Sequence, residues 1–210
     1  MSLHSQRLEL QGASGSIEAI RNDPAPALAR VGVAIIAHPH PLFGGSMDNK
    51  VVQTLSRAFV HCGWVALRFN FRGVGHSAGA HDDGRGELED LLAAVQQVAP
   101  DGPLAIAGFS FGAFVASHAV CALWPSRNIE RVVLVGTAAS RFAVADLPFD
   151  SQERTLVLHG ELDDTVPLAD VMNWARPQNL PITVIPGGGH FFHGQLPLLK
   201  SLVVRHLRSA

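Results

Sequence analysis

Serine, aspartate and histidine, the three side chains that together make an activated nucleophile, stand at separated points of this chain. Ser110 occupies the centre of "GFSFG", residues 108–112; Asp163 and Asp164 lie in "HGELDDTVP"; His190 and His193 lie in "GGGHFFHG". A serine hydroxyl is a weak nucleophile until a base takes its proton, and an imidazole does this best when an acid fixes its tautomer. The G-x-S-x-G spacing adds geometry. Its glycines permit a tight, strained strand-to-helix turn that lifts the hydroxyl above the sheet, and the helix N-terminus then faces developing negative charge. Without context the pattern is weak, because a chain with 20 glycines yields such spacings by chance.

A second chemistry is suggested by "AIIAHPHPLFGGSM", residues 34–47, where His38 and His40 stand two apart after an apolar run. Such a pair can open a metal site, and metal-dependent barrels often begin this way. Those barrels need about 250 residues, and no other strand end here brings a matching ligand set. The two prolines and two glycines of this stretch instead describe a backbone that turns sharply. No metal and no cofactor is expected.

The elements that must hold these residues can be read from hydrophobic periodicity. Residues 7–11 and 16–21 alternate around "GASGS", as a hairpin does. Short runs that are apolar throughout follow at 31–37, 64–69, 104–109, 132–135, 156–159 and 182–185. Helical stripes lie between or after them, at 49–62, 87–98, 111–123, 168–174 and 196–207. Continuous apolar runs mark strands covered on both faces, and strand–helix alternation demands a mostly parallel sheet. The expected fold is α/β: a mostly parallel central sheet with an antiparallel N-terminal strand, helices on both faces, and one domain over 1–210. Ligands of such sheets bind beyond the carboxyl ends of the strands. Ser110, the two aspartates and His190 all fall there, in the chain order Ser, Asp, His.

These motifs resemble the α/β-hydrolase superfamily, and within it the small lidless bacterial serine hydrolases, a carboxylesterase-like and dienelactone-hydrolase-related group. "HPHPLFGGSM" and "FNFRGVGHSAG" carry the likeness in the first half, "GFSFG", "HGELDDTVP" and "GGGHFF" in the second. The resemblance implies that Ser110 is the nucleophile, His190 rather than His193 the base, and Asp163 rather than Asp164 the acid. The family pattern H-G-x-x-D-x-x-V-P falls on His159, Gly160, Asp163, Val166 and Pro167. His159 is expected to pack or fix a loop. The resemblance also makes the 38–45 loop a partner of the Phe111 amide in an oxyanion hole. Pro39 and Pro41 have no N–H, which leaves His40, Leu42 and Phe43; the family's spacing favours Leu42, with His40 as the alternative. The loop at 69–79 is expected to be structural, with His76 and Ser77 near the site. Family lids are usually inserted between the fourth parallel strand and the acid strand, and the 19 residues 136–154 are too few for one.

Composition agrees with this class and excludes others. Of the 210 residues 47% are hydrophobic and 16% charged, enough for a large core, and the formal net charge of -2 gives no electrostatic case for nucleic acid. No apolar run is long enough to span a membrane, and "MSLHSQRLEL" lacks the pattern of a secretory leader. A cytoplasmic protein is the expectation. Cys62 and Cys121 read as free thiols, and neither stands where a cysteine nucleophile would. The expected activity is hydrolysis of a small acyl ester in an open, shallow site, with Phe43, Phe191 and Phe192 forming an apolar patch. Thioesters and small amides suit the same chemistry. A metal-dependent hydrolase using His38 and His40, or a non-catalytic binding protein of the same fold, are the rivals.

Overall fold

The computed structural model describes residues 4–209; Met1 to Leu3, part of the stretch read for a leader, and Ala210 lie outside it. Eight strands form one sheet: β1 (His4–Gly12), β2 (Gly15–Asp23), β3 (Val33–Ala37), β4 (Val65–Phe69), β5 (Leu104–Phe109), β6 (Ile129–Val135), β7 (Thr155–Gly160) and β8 (Ile182–Ile185). Their order is β1-β2-β4-β3-β5-β6-β7-β8. From β4 to β8 every neighbouring pair is parallel. The antiparallel part is larger than a single strand: β1 and β2 form the hairpin, and β2 in turn runs antiparallel to β4.

Five helices cover the sheet: α1 (Lys50–His61), α2 (Arg85–Val98), α3 (Phe111–Leu123), α4 (Leu168–Ala175) and α5 (Leu196–Arg208). Alternation along the strands sorts two cores. Ile35, Ile106, Leu134 and Val157 face α2, α3 and α4, while Ile36, Ala107, Val133 and Leu158 face α1 and α5. The centres of these four strands are therefore apolar on both faces although each side chain serves only one core.

Two consequences of this layout position the site. The chain leaves β3 towards β4 and returns across it to β5, so β3 and β5 are neighbours whose following helices lie on opposite faces. Their loops diverge, and a crevice opens between them at the carboxyl edge. The second consequence concerns the loop after β4, which is structural as expected. The Arg72 guanidinium grips the buried carboxylate of Asp90 on α2 through Nε (3.1 Å) and Nη2 (2.9 Å). Ser77 is occupied internally, donating to the Asn70 carbonyl at 2.7 Å, and His76 projects into solvent beside Glu18. Neither reaches the crevice, contrary to the expectation that they stand near the site.

Candidate active site

Ser110 terminates β5 and caps α3 in a backbone conformation that residues other than glycine rarely adopt, with φ 56° and ψ -118°. Such a residue persists only where its surroundings over-determine it. Here the Ser110 N–H donates to the Val135 carbonyl on the next strand, at 2.8 Å. A Cβ on Gly108 would collide with the Gly112 backbone, and one on Gly112 would lie 2.5 Å from the carbonyl oxygens of Ala37 and His38. The glycines of "GFSFG" are thus required by contact, and the helix they admit rests directly on the end of β3.

The hydroxyl meets His190. Its Oγ lies 3.0 Å from His190 Nε2, and His190 Nδ1 lies 2.7 Å from Asp163 Oδ2. All three residues are buried or nearly so, and the imidazole packs on the Phe109 ring at 4.9 Å between centroids. Asp163 is held from its other side: Oδ1 accepts the amides of Thr165 (3.0 Å) and Val166 (2.8 Å). Burial works against its charge, but the His190 hydrogen bond and the Val166 amide outweigh it, and the Asp163 carboxyl stays below its ordinary pKa. A neighbouring anion with an imidazole bonded through Nδ1–H leaves Nε2 free to accept the serine proton. The loops carrying the pair are themselves interlocked, because the Leu162 amide donates to the Gly188 carbonyl at 2.8 Å.

The residues weighed beside these lie elsewhere. Asp164 and His193 are exposed, and Asp164 does not cap α4. His159 is fully buried under the acid loop, with Nε2 on the Val166 carbonyl at 2.9 Å, the loop-fixing position expected of it.

The loop after β3 resolves the two histidines of "HPHP". His38 is fully buried, and burial lowers its pKa to about 4. Its Nδ1–H donates to the Pro39 carbonyl at 2.6 Å and its Nε2 accepts the Phe71 amide at 3.0 Å, so both ring nitrogens are engaged within the fold. The Pro39 carbonyl belongs to the same rigid peptide plane as the His40 N–H. His38 therefore fixes that amide, which makes no hydrogen bond among the described residues. His40 in turn accepts the Leu42 amide at Nδ1 (3.2 Å), starting the 3₁₀ turn Pro41–Phe43. Leu42 thus has its N–H in use and its side chain 71% exposed, away from the crevice. Of the two loop amides expected as donor candidates, that of Leu42 is thus engaged within the loop, and that of His40, the alternative, is the one left open. The Phe111 amide, at the first position of α3, has no intrahelical acceptor.

A cavity of about 250 Å³ opens above Ser110, with His40, Phe111, Phe142, Val166, His190 and Phe191 among its walls. Phe43 and Phe191 line it as expected. Phe192 does not: with φ 52° the chain reverses there and turns the ring into the core under α1 and α5, fully buried. Sequence reading missed Ala138, Arg141 and Phe142, which come from the segment expected only to be too short for a lid. That segment runs across the site as a wall. The Phe142 ring stacks on Phe114 at 4.8 Å, His118 Nε2 donates to the Ala143 carbonyl at 2.9 Å, and Ser117 Oγ accepts the Ala145 amide at 3.1 Å.

Comparison with known proteins bears on the whole arrangement. Residues 40–153 match the model of the alpha/beta hydrolase fold family. The chain is 33% identical over 173 residues to the uncharacterized protein RP471 of Rickettsia prowazekii, covering 76% of this chain and 71% of that one. Among solved structures it is similar to XC6422 from Xanthomonas campestris, described as an α/β serine hydrolase without a lid. That match has a TM-score of 0.87 and 34% identity over 99% of this chain and 95% of the other. An alpha-beta serine hydrolase homologue from Coxiella burnetii matches with TM-score 0.82 and 34% identity, over 99% of both chains.

Proposed function

This chain belongs to the α/β-hydrolase fold family, in its lidless form, and on that footing we propose that it is a serine hydrolase cleaving small acyl esters. The observation that carries the reading is the unbroken chain from Ser110 Oγ through His190 to Asp163, at 3.0 and 2.7 Å, opening into a small apolar cavity.

The reaction follows from the geometry. Ser110 Oγ attacks the acyl carbon while His190 Nε2 takes its proton, and Asp163 stabilises the imidazolium through Nδ1–H. The carbonyl oxygen becomes an oxyanion, bound by the Phe111 and His40 amides. As the intermediate collapses, the alkoxide leaves and receives the Nε2 proton, departing as the alcohol. Water then attacks the acyl-enzyme, giving a proton to Nε2; that proton returns to Ser110 Oγ as the carboxylic acid leaves.

Reaction of the intact protein with a fluorophosphonate probe, beside a series of p-nitrophenyl esters of rising chain length, tests the reading. Labelling on Ser110 and fastest turnover of short acyl chains are the expected results. An unlabelled protein, or turnover of long chains alone, would overturn it.

The donor role of His40 has its own test. Its φ of -52° already lies in the range that a proline ring imposes. His40→Pro removes the N–H and the imidazole, whereas His40→Ala removes only the imidazole. We expect kcat of the proline variant to fall below that of the alanine variant by about 10²–10³, the usual cost of one oxyanion donor. Equal rates would return the role to another amide.

A further inference from the structure

The cavity wall carries one fixed charge. Apart from Arg141, the residues around the opening are apolar, neutral polar, or the two imidazoles of His40 and His190. Burial, and then the neighbouring His81, push the His40 pKa below its ordinary value, which favours the uncharged ring. Asp163 is screened from the opening behind His190, and the exposed Asp164 is not part of the wall. Among the described residues no carboxylate lines the wall beside the guanidinium.

Arg141 also differs from the arginines that brace the fold. Arg72 is bound to Asp90 and Glu89, Arg68 to Asp48, and Arg21 to Asp23. Among the described residues the Arg141 side chain has no hydrogen bond or ion pair. Its backbone is nevertheless fixed. The Arg141 and Phe142 amides both donate to the Ala138 carbonyl, at 3.3 and 3.2 Å, and the adjacent Phe142 ring is wedged against Phe111 and Phe114. A free, planar, five-donor cation stands on a firm base at the mouth of an apolar cavity that ends at Ser110. The group it fits is a carboxylate, which a guanidinium binds through two parallel N–H donors.

We infer that the ester turned over at this site carries a free carboxylate, and that Arg141 binds it at the cavity mouth while the apolar wall takes the intervening carbons. This rests on the serine-hydrolase reading above and names its substrate class. Because the guanidinium is exposed, its contribution is moderate and screened by salt. A preference of about 2- to 5-fold is the scale to expect from an exposed ion pair.

Two arms of one experiment locate the carboxylate. On the acyl side, the mono-p-nitrophenyl esters of succinate and glutarate are compared with p-nitrophenyl butyrate; on the alcohol side, 4-carboxyphenyl butyrate is compared with phenyl butyrate. The ratio of kcat/KM, anionic over neutral, is measured for the intact protein, Arg141→Gln and Arg141→Glu, each at low and high salt. At low salt the intact protein should favour the anionic ester in at least one arm. Arg141→Gln should bring that ratio to about one through KM, Arg141→Glu should invert it, and salt should erode it. Turnover of neutral esters with no anionic preference in either arm overturns the inference and leaves the hydrolase reading standing, as does a preference that survives Arg141→Gln. Absence of all turnover together with absence of fluorophosphonate labelling overturns both.

Discussion

Ser110→Ala is expected to lower ester turnover by about 10⁴–10⁶ and to abolish fluorophosphonate labelling, the scale seen when a triad nucleophile is removed. The prediction is sharp because Ser110 does little else. Its Oγ has one partner, His190 Nε2, and its N–H bond to the Val135 carbonyl survives in alanine. Alanine pays the same conformational cost at φ 56° as serine does, so the melting temperature should move by only a few degrees. What remains is the cavity and the two amides proposed for the oxyanion, which would by themselves give slow catalysis through binding and oxyanion stabilisation. A variant that folds and keeps more than about one part in a hundred of the rate would mean that another group is the nucleophile.

Asp163→Asn is expected to cost about 10⁴ in kcat with little change in fold, the effect of misdirecting a catalytic imidazole. The reason lies in how the carboxylate is held. Its Oδ1 accepts two backbone amides, from Thr165 and Val166, and only an oxygen can keep both bonds. An asparagine must therefore place its oxygen there and turn its NH₂ towards His190. Two donors cannot face each other, so His190 must present a bare Nδ1 to the amide and carry its proton on Nε2. In that tautomer it donates to Ser110 instead of accepting from it. Steady-state kinetics at neutral pH beside a thermal melt decide the matter; a loss of less than about tenfold would mean that Asp163 does not set the tautomer.

Much of this frame could be read from the chain. Runs apolar almost throughout announced strands covered on both faces, and each observed parallel strand overlaps one of them. The glycines at 108 and 112 could be read because the physics is local, a backbone contact that any Cβ would break. Asp163 and Asp164 could be told apart only by the H-G-x-x-D-x-x-V-P spacing of the resemblance, since both are aspartates in one turn. What separates them in the fold is burial and two amide donors, which only the folded turn supplies. The loop proposed to hold the oxyanion was harder still. Leu42 fitted a spacing, but the outcome depends on His40 Nδ1 taking the Leu42 amide and on His38 fixing the Pro39 carbonyl. Neither side chain-to-backbone bond leaves a periodic trace in sequence. Phe191 and Phe192 are adjacent and chemically identical, yet a positive φ at 192 sends one to the cavity and the other to the core. Arg141 and Phe142 stood in an irregular loop, where pattern is silent and position is decided by contacts with α3.

The short wall from Ala138 to Ala145 has a bearing on the fate of an acyl group once it is on Ser110. Bonds from His118 and Ser117 tie it to α3, and among the described residues no cover lies above it to exchange one arrangement for another. An acyl-enzyme formed here would face bulk water from the moment the alcohol leaves. Any other acceptor would have to compete with solvent at full concentration and without a dry interval. The same wall that shapes the cavity would thus commit each turnover to the free acid and leave acyl transfer to a second alcohol a minor fate.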